Sequence, residues 1–164
     1  MADRVYNVLF LCTHNSARSI LAEAIMNHLA PGRFKAFSAG SSPSGKVNLL
    51  ALETLQKAGL DTQGLRSKNW DEFAISGAPE MEIVITVCDN AAGEVCPIWP
   101  GHPIRVRWGL DDPSRVSGDD QARRRAFSKT YQEISRRLRV FVNLSIERLD
   151  RNALQNKLNE LGTE

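Results

Sequence analysis

The chain reads as an α/β protein, a parallel sheet of about four strands with helices on both faces. Short apolar runs of β-forming residues alternate with segments of helical period, which is the pattern of such a sheet. No apolar run approaches the ~20 residues of a membrane-spanning helix. The 164 residues, 42% hydrophobic and 24% charged, are enough for one real core and too few for two comfortable domains.

Each element follows from local pattern. Residues 5–11 (Val-Tyr-Asn-Val-Leu-Phe-Leu) form a mostly apolar run, as a buried parallel strand requires. Residues 19–30 carry Leu21, Ile25 and Leu29 at helical spacing and stop at Pro31-Gly32. A second short strand is expected over 33–38, closing on Ala39-Gly40 and a Ser/Pro/Gly loop. Asn48 is placed to cap a helix with Leu49, Leu52 and Leu55 inward and Gly59 at its end. A short helix is expected over 68–75. Residues 82–87 (Glu-Ile-Val-Ile-Thr-Val) are the clearest strand, and 104–108 a weaker fourth. A long helix is expected over 119–142, with Ala122, Ala126, Tyr131, Ile134 and Leu138 inward. Leu154, Leu158 and Leu161 repeat at helical spacing in a further stretch over 144–161.

Charge and cysteine content narrow the function classes. Twenty-one Lys and Arg against 19 Asp and Glu leave a net charge of +2, so no overall basic excess calls for a nucleic-acid partner. The arginines of the long helix (Arg123, Arg124, Arg125, Arg136, Arg137, Arg139) are read as a solvated face. No export signal is seen at Met-Ala-Asp-Arg-Val, and three cysteines make no structural disulfide framework. The expectation is a cytoplasmic protein with no membrane partner. There a cysteine serves packing, metal binding or chemistry.

The first strand runs into Cys12-Thr13-His14-Asn15-Ser16-Ala17-Arg18-Ser19, and a helix follows at once. A strand, a short turn and a helix N-terminus gather unpaired backbone N–H groups at the carboxyl edge of a sheet, where ligands bind in such folds. Residues 13–19 therefore form a candidate oxyanion loop. A thiol at its mouth has its thiolate stabilised, which makes Cys12 a candidate nucleophile. Arg18 carries a planar fork suited to two oxygens of a tetrahedral anion. Ser19 offers a hydroxyl to the thiolate, and Asn15 tolerates the left-handed backbone of a tight loop. His14 is read as a loop backbone donor with an exposed ring, and His28 as an ordinary helix residue.

The pattern Cys12-x5-Arg18-Ser19, with Ser38-Ala39-Gly40 and Asp112-Pro113, resembles the low-molecular-weight protein tyrosine phosphatases over about residues 5–143. The resemblance implies a three-layer α/β/α fold, with residues 1–143 as the phosphatase-like domain and 144–164 as a helical extension. Within that superfamily the thioredoxin-coupled arsenate reductases match better, because Cys88 and Cys96 follow the third strand. That match implies attack of Cys12 on arsenate, then a Cys12–Cys88 disulfide, then a Cys88–Cys96 disulfide. An external thiol system, thioredoxin or glutaredoxin with glutathione, would open the last one. Small residues Ala91, Ala92 and Gly93 suit a segment that rearranges. A zinc pair is a poor reading of that seven-residue gap with only His102 nearby.

In the phosphatase superfamily the Asp before Pro is the general acid, which maps to Asp112, with Asp111 as the fallback. An aspartate set over an anion gripped by Arg18 is pushed toward its protonated form. Ser114 stands where phosphatases place a tyrosine, and Ser41-Ser42-Pro43-Ser44-Gly45 offers no aromatic wall, so a small inorganic oxyanion suits the site better. Ala17 stands where many relatives have a second loop cysteine, which the Cys12–Cys88 exchange does not use. One branch of these reductases binds potassium. Asn15, Glu23 and Ser38 match three of its ligands, but Lys68 replaces the fourth, an aspartate, and its ammonium can neutralise Glu23. No metal and no bound cofactor are expected. Two alternatives stand beside arsenate reduction: hydrolysis of phosphotyrosine or small phosphate esters by Cys12, Arg18 and Asp112, and a non-catalytic oxyanion-binding or redox-sensing protein.

Overall fold

The structure, a computed structural model, describes residues 4–87 and 101–162. Cys88 and Cys96 lie outside the described residues, so their expected pairing has no geometry here. Strands β1 (Tyr6–Cys12), β2 (Phe34–Gly40), β3 (Ile83–Thr86) and β4 (Ile104–Arg107) form one parallel sheet in the order β2-β1-β3-β4. The chain steps from β1 outward to β2 and then back across to β3. The loop leaving β1 therefore opens at the point where the winding reverses, the crevice in which such sheets bind ligands. Cys12 sits at that carboxyl edge, paired in register with Gly40.

Alternation along the strands divides the core. Val8 and Phe10 of β1, with Ile83 and Ile85 of β3, face the larger cluster. Into it pack Leu21, Ile25 and Met26 of α1 (Arg18–Leu29) and Leu55 of α2 (Leu49–Lys57). Phe127, Ile134, Leu138 and Phe141 of α3 (Asp120–Val142) and Leu154, Leu158 and Leu161 of α4 (Arg151–Leu161) complete it. Leu9, Leu11 and Val84 point the other way, against Trp70 and Phe73.

Four local expectations change, one of them at Arg137 of α3, which is expected on a solvated face and is only 6% exposed. The segment 68–75 contains only a single 3-10 turn, Trp70–Phe73, capped by the Asn69 side chain. Leu49 is 80% exposed rather than inward. Asn48 caps α2 through its side-chain oxygen, as expected, and this makes Leu49 the first helical residue. Its side chain projects off the helix end, and Ala51 and Leu55, one turn apart, take the buried stripe. In α3, Ala122, Ala126 and Tyr131 are only half-buried, whereas Phe127, Thr130, Ile134, Leu138 and Phe141 are buried. Among the described residues no helix is long and apolar enough to cross a membrane.

α4 lies along the outer edge of β4. Its Arg151 and Gln155 side chains donate to the carbonyls of Pro103 and Arg105, at 3.1 Å each. The indole N–H of Trp108 donates to the Leu158 carbonyl at 2.8 Å.

Candidate functional site

The loop between β1 and α1 is shaped by where its carbonyls go. Thr13 O accepts from Ser42 N at 2.9 Å, and His14 O accepts from Ser44 N and the Ser67 hydroxyl at 3.1 Å each. Ser16 O accepts from Asn48 N at 2.9 Å. Three loop carbonyls are thus held by a neighbouring wall, as expected of a loop that offers its N–H groups to an anion. No side chain caps α1, so its first amides are available to an external anion. The His14 ring is exposed and lies 3.1 Å from the Ser42 carbonyl.

Asn15 carries the sharp part of the turn. Its φ is +47°, in the left-handed region that Asn tolerates better than most residues. It is fully buried, and its side-chain amide donates to Ser19 Oγ at 2.8 Å while its oxygen accepts from Lys68 N at 2.9 Å. Having accepted, Ser19 keeps its own O–H to donate. Gly40 is required beneath the loop: an added Cβ would come within 2.7 Å of the Cys12 carbonyl oxygen and closer still to that of Thr13. Cys12 itself is 4% exposed, on the floor of this cup.

Arg18 leaves the first turn of α1 and crosses to the loop after β4. One terminal nitrogen donates to the Leu110 carbonyl at 2.8 Å, and the other lies 3.5 Å from Asp112 Oδ2. Asp112 also accepts from the Ser114 backbone N–H at 2.9 Å and its hydroxyl at 2.6 Å, which caps the short turn Pro113–Arg115. Burial alone would raise the Asp112 pKa, but the Ser114 donors, with Arg18 and Arg115, hold it below the ordinary aspartate value. This differs from the sequence expectation of a carboxyl driven toward protonation. That expectation needs an anion to engage Arg18, and without one the guanidinium favours the carboxylate. Asp111 is exposed, whereas Asp112 is turned to Arg18 and pairs with it.

Behind the loop, the Lys68 ammonium lies 3.7 Å from Glu23 Oε1 and donates to the Arg66 carbonyl at 2.9 Å. The Ser38 hydroxyl donates to the same Glu23 oxygen at 2.6 Å. Burial pushes the Glu23 pKa up against the opposing pull of Lys68 and Ser38. Burial likewise pushes Lys68 down, against the attraction of Glu23. Residues 15, 23, 38 and 68 therefore do meet: Glu23 faces the Lys68 ammonium and accepts from the Ser38 hydroxyl, while Asn15 accepts from the Lys68 backbone N–H. Among the described residues no group of three or more His, Cys, Asp or Glu could hold a metal.

The structure brings Cys12, residues 13–19 and Asp112 to one edge of the sheet. Val87, the last described residue before Cys88, donates its N–H to Leu11 O at 2.8 Å, beside Cys12. Sequence reasoning missed the Leu110 carbonyl that seats Arg18 and the Ser42, Ser44, Ser67 and Asn48 donors that hold the loop. None carries a local signal, since backbone groups and single serines have no distinguishing spacing.

Residues 7–156 match the family model described as low molecular weight phosphotyrosine protein phosphatase. The chain is 34% identical over 134 residues to the arsenate reductase of Halalkalibacterium halodurans, covering 82% of this chain and 93% of that protein. The arsenate reductase of Bacillus subtilis is matched at the same identity and coverage. Among solved structures it is similar to a thioredoxin-dependent arsenate reductase of Corynebacterium glutamicum, at TM-score 0.62 and 27% identity. That alignment covers 87% of this chain but spans only 62% of the other. It is also similar to an arsenate reductase in a phosphate-binding state, at TM-score 0.69 and 25% identity, covering 84% and 96% of the two chains.

Proposed function

Because the chain belongs to the low molecular weight phosphotyrosine protein phosphatase family, we propose that it reduces arsenate to arsenite through Cys12. The observation that carries this reading is the cup over Cys12, with its carbonyls held by a neighbouring wall, its helix end uncapped and Arg18 at its rim. Curated relatives named as arsenate reductases support the substrate.

In this mechanism the Cys12 thiolate attacks arsenic and forms an S–As(V) bond, and the As–OH bond breaks as its oxygen takes one proton from Asp112 or solvent and leaves as water. The loop amides and Arg18 stabilise the charge on the remaining oxygens. A Cys88 thiolate then attacks Cys12 Sγ. The S–As bond breaks, its electron pair stays on arsenic, and arsenite leaves as a Cys12–Cys88 disulfide forms. Attack of Cys96 on Cys88 releases Cys12 as thiolate and moves the disulfide to Cys88–Cys96. Two electrons from an external dithiol of the thioredoxin class, or from glutaredoxin with glutathione, restore the thiols.

The ester-hydrolysing alternative uses the same first attack, with Asp112 protonating the leaving oxygen. The two reactions part at Cys88. The deciding experiment follows NADPH consumption with thioredoxin, thioredoxin reductase and arsenate, alongside p-nitrophenyl phosphate hydrolysis. Cys88→Ser should abolish arsenate turnover and spare hydrolysis, whereas Cys12→Ser should abolish both. Full arsenate turnover in Cys88→Ser and Cys96→Ser, with thioredoxin and with glutaredoxin, would refute the relay.

A further inference from the structure

The C-terminal helix reaches the oxyanion site through one indole. Trp108 is 1% exposed, its backbone N–H donates to Thr86 O at 2.7 Å, and its ring meets Phe141 edge-on at 6.3 Å between centroids. The carbonyl that takes its indole N–H, Leu158 O, is among the last four of α4, which lack the normal intrahelical donor. The contact thus satisfies a buried indole donor and an orphaned helix carbonyl at once. Gly162, just past the helix, packs so closely that an added Cβ would lie 2.6 Å from Trp108 Cδ1 and 2.9 Å from Arg107 O.

Two residues after Trp108 comes Leu110, itself buried, whose carbonyl holds Arg18 Nη1. Two further on is Asp112, beside Arg18 Nη2. Whatever fixes Trp108 therefore fixes the root of the segment on which the site arginine rests. We propose that Trp108 and α4 form a positioning unit for the oxyanion site: the indole clamped on Leu158 sets where the 110–112 segment holds the Arg18 guanidinium, and so sets oxyanion affinity. This inference rests on the oxyanion reading of the Cys12 loop and assigns to the C-terminal helix a task beyond closing the core.

The test is calorimetric titration of the full chain with inorganic phosphate, with unfolding measured in parallel. Trp108→Phe keeps the aromatic face and removes the donor. Gly162→Ala keeps the indole and pushes the helix end away from it. Phe73→Leu is the control, a change in the smaller cluster on the other face of the sheet, where Phe73 packs on Phe37. Each of the first two should weaken phosphate about fivefold, the factor expected from losing one hydrogen bond's contribution. Phe73→Leu should leave affinity unchanged at comparable loss of stability. In an Arg18→Lys background the Trp108→Phe effect should vanish, because lysine lacks the fork that rests on Leu110. Should Trp108→Phe not fold, Gly162→Ala decides alone. Wild-type affinity in both variants overturns the positioning role and leaves the oxyanion reading standing. A wild-type chain that does not bind phosphate overturns the reading and the inference with it.

Discussion

Removing the ammonium of Lys68 should strand Glu23 behind the anion loop, and the size and pH dependence of that loss can be worked from the geometry. The charges are 3.7 Å apart, and their side chains are only 7% and 13% exposed. At an effective dielectric of 20, attraction at that distance is about 4.5 kcal/mol. Dehydration opposes it, and the upward displacement of Glu23 with the downward displacement of Lys68 says that dehydration is the larger effect on both. The pair is therefore worth little net, yet each member depends on the other. Lys68→Met should cost about 3 kcal/mol near neutral pH, since it leaves a buried carboxylate held by the Ser38 hydroxyl without its ammonium. Glu23→Gln with Lys68→Met should return to within about 1 kcal/mol of wild type. The sign with pH follows from linkage. In Lys68→Met the folded Glu23 pKa rises further above its unfolded value, so the protonated form is tolerated at low pH and the deficit opens as pH climbs. Urea unfolding followed by circular dichroism at about pH 5 and about pH 8 should show the deficit small at the first and full at the second. A deficit independent of pH, or a double variant as unstable as Lys68→Met, would refute this account of the pair.

Three further outcomes follow from the loop. Gly40→Ala, whose new methyl meets the Cys12 and Thr13 carbonyls, should cost about 1–3 kcal/mol in urea unfolding and weaken phosphate in calorimetry by more than tenfold. Asn15→Gly and Asn15→Ala both lose the bonds to Ser19 and Lys68, but only alanine is strained at φ +47°, so it should be about 1 kcal/mol the less stable of the two. Ser114→Ala removes the hydroxyl, the leading donor that holds Asp112 below its ordinary pKa, and keeps the backbone N–H, so that pKa should climb part of the way. The alkaline limb of p-nitrophenyl phosphate hydrolysis should then move to higher pH, and an unmoved limb would exclude Asp112 as the acid. For stability the sign is opposite: the Asp112 contribution is complete above about pH 4 and fades as pH falls through the lowered folded value, a fade that Ser114→Ala reduces.

Much of the fold was legible because its signals are local. Buried parallel strands are short continuous apolar runs, and all four were placed within two residues of their observed ends. The shape of the Cys12 loop was legible for the same reason, since the strand end, thiol, arginine and helix start lie within eight consecutive positions. Helix register was less so. In α3, charged residues surround a narrow apolar stripe, and which small residues turn inward is decided by α1 packed against it rather than by the helix itself. Leu49 shows the same limit at a helix end, where spacing called for burial but the Asn48 cap placed the residue beyond the packed face. The supports of the site were illegible because they are backbone groups supplied from far away in sequence, such as the Leu110 carbonyl, 92 positions from Arg18.

The strip of α4 along β4 also bears on how copies of this chain meet one another. The outermost strand of any sheet offers a row of bare carbonyls and amides on which a stranger's strand can zip up. Here Pro103 contributes no amide to that row, and the Pro103 and Arg105 carbonyls are already taken by Arg151 and Gln155. The helix thus works as a selvedge, finishing the cloth so that the next bolt cannot be stitched to it. Loss of residues 151–164 would convert that margin into a template for edge-to-edge aggregation.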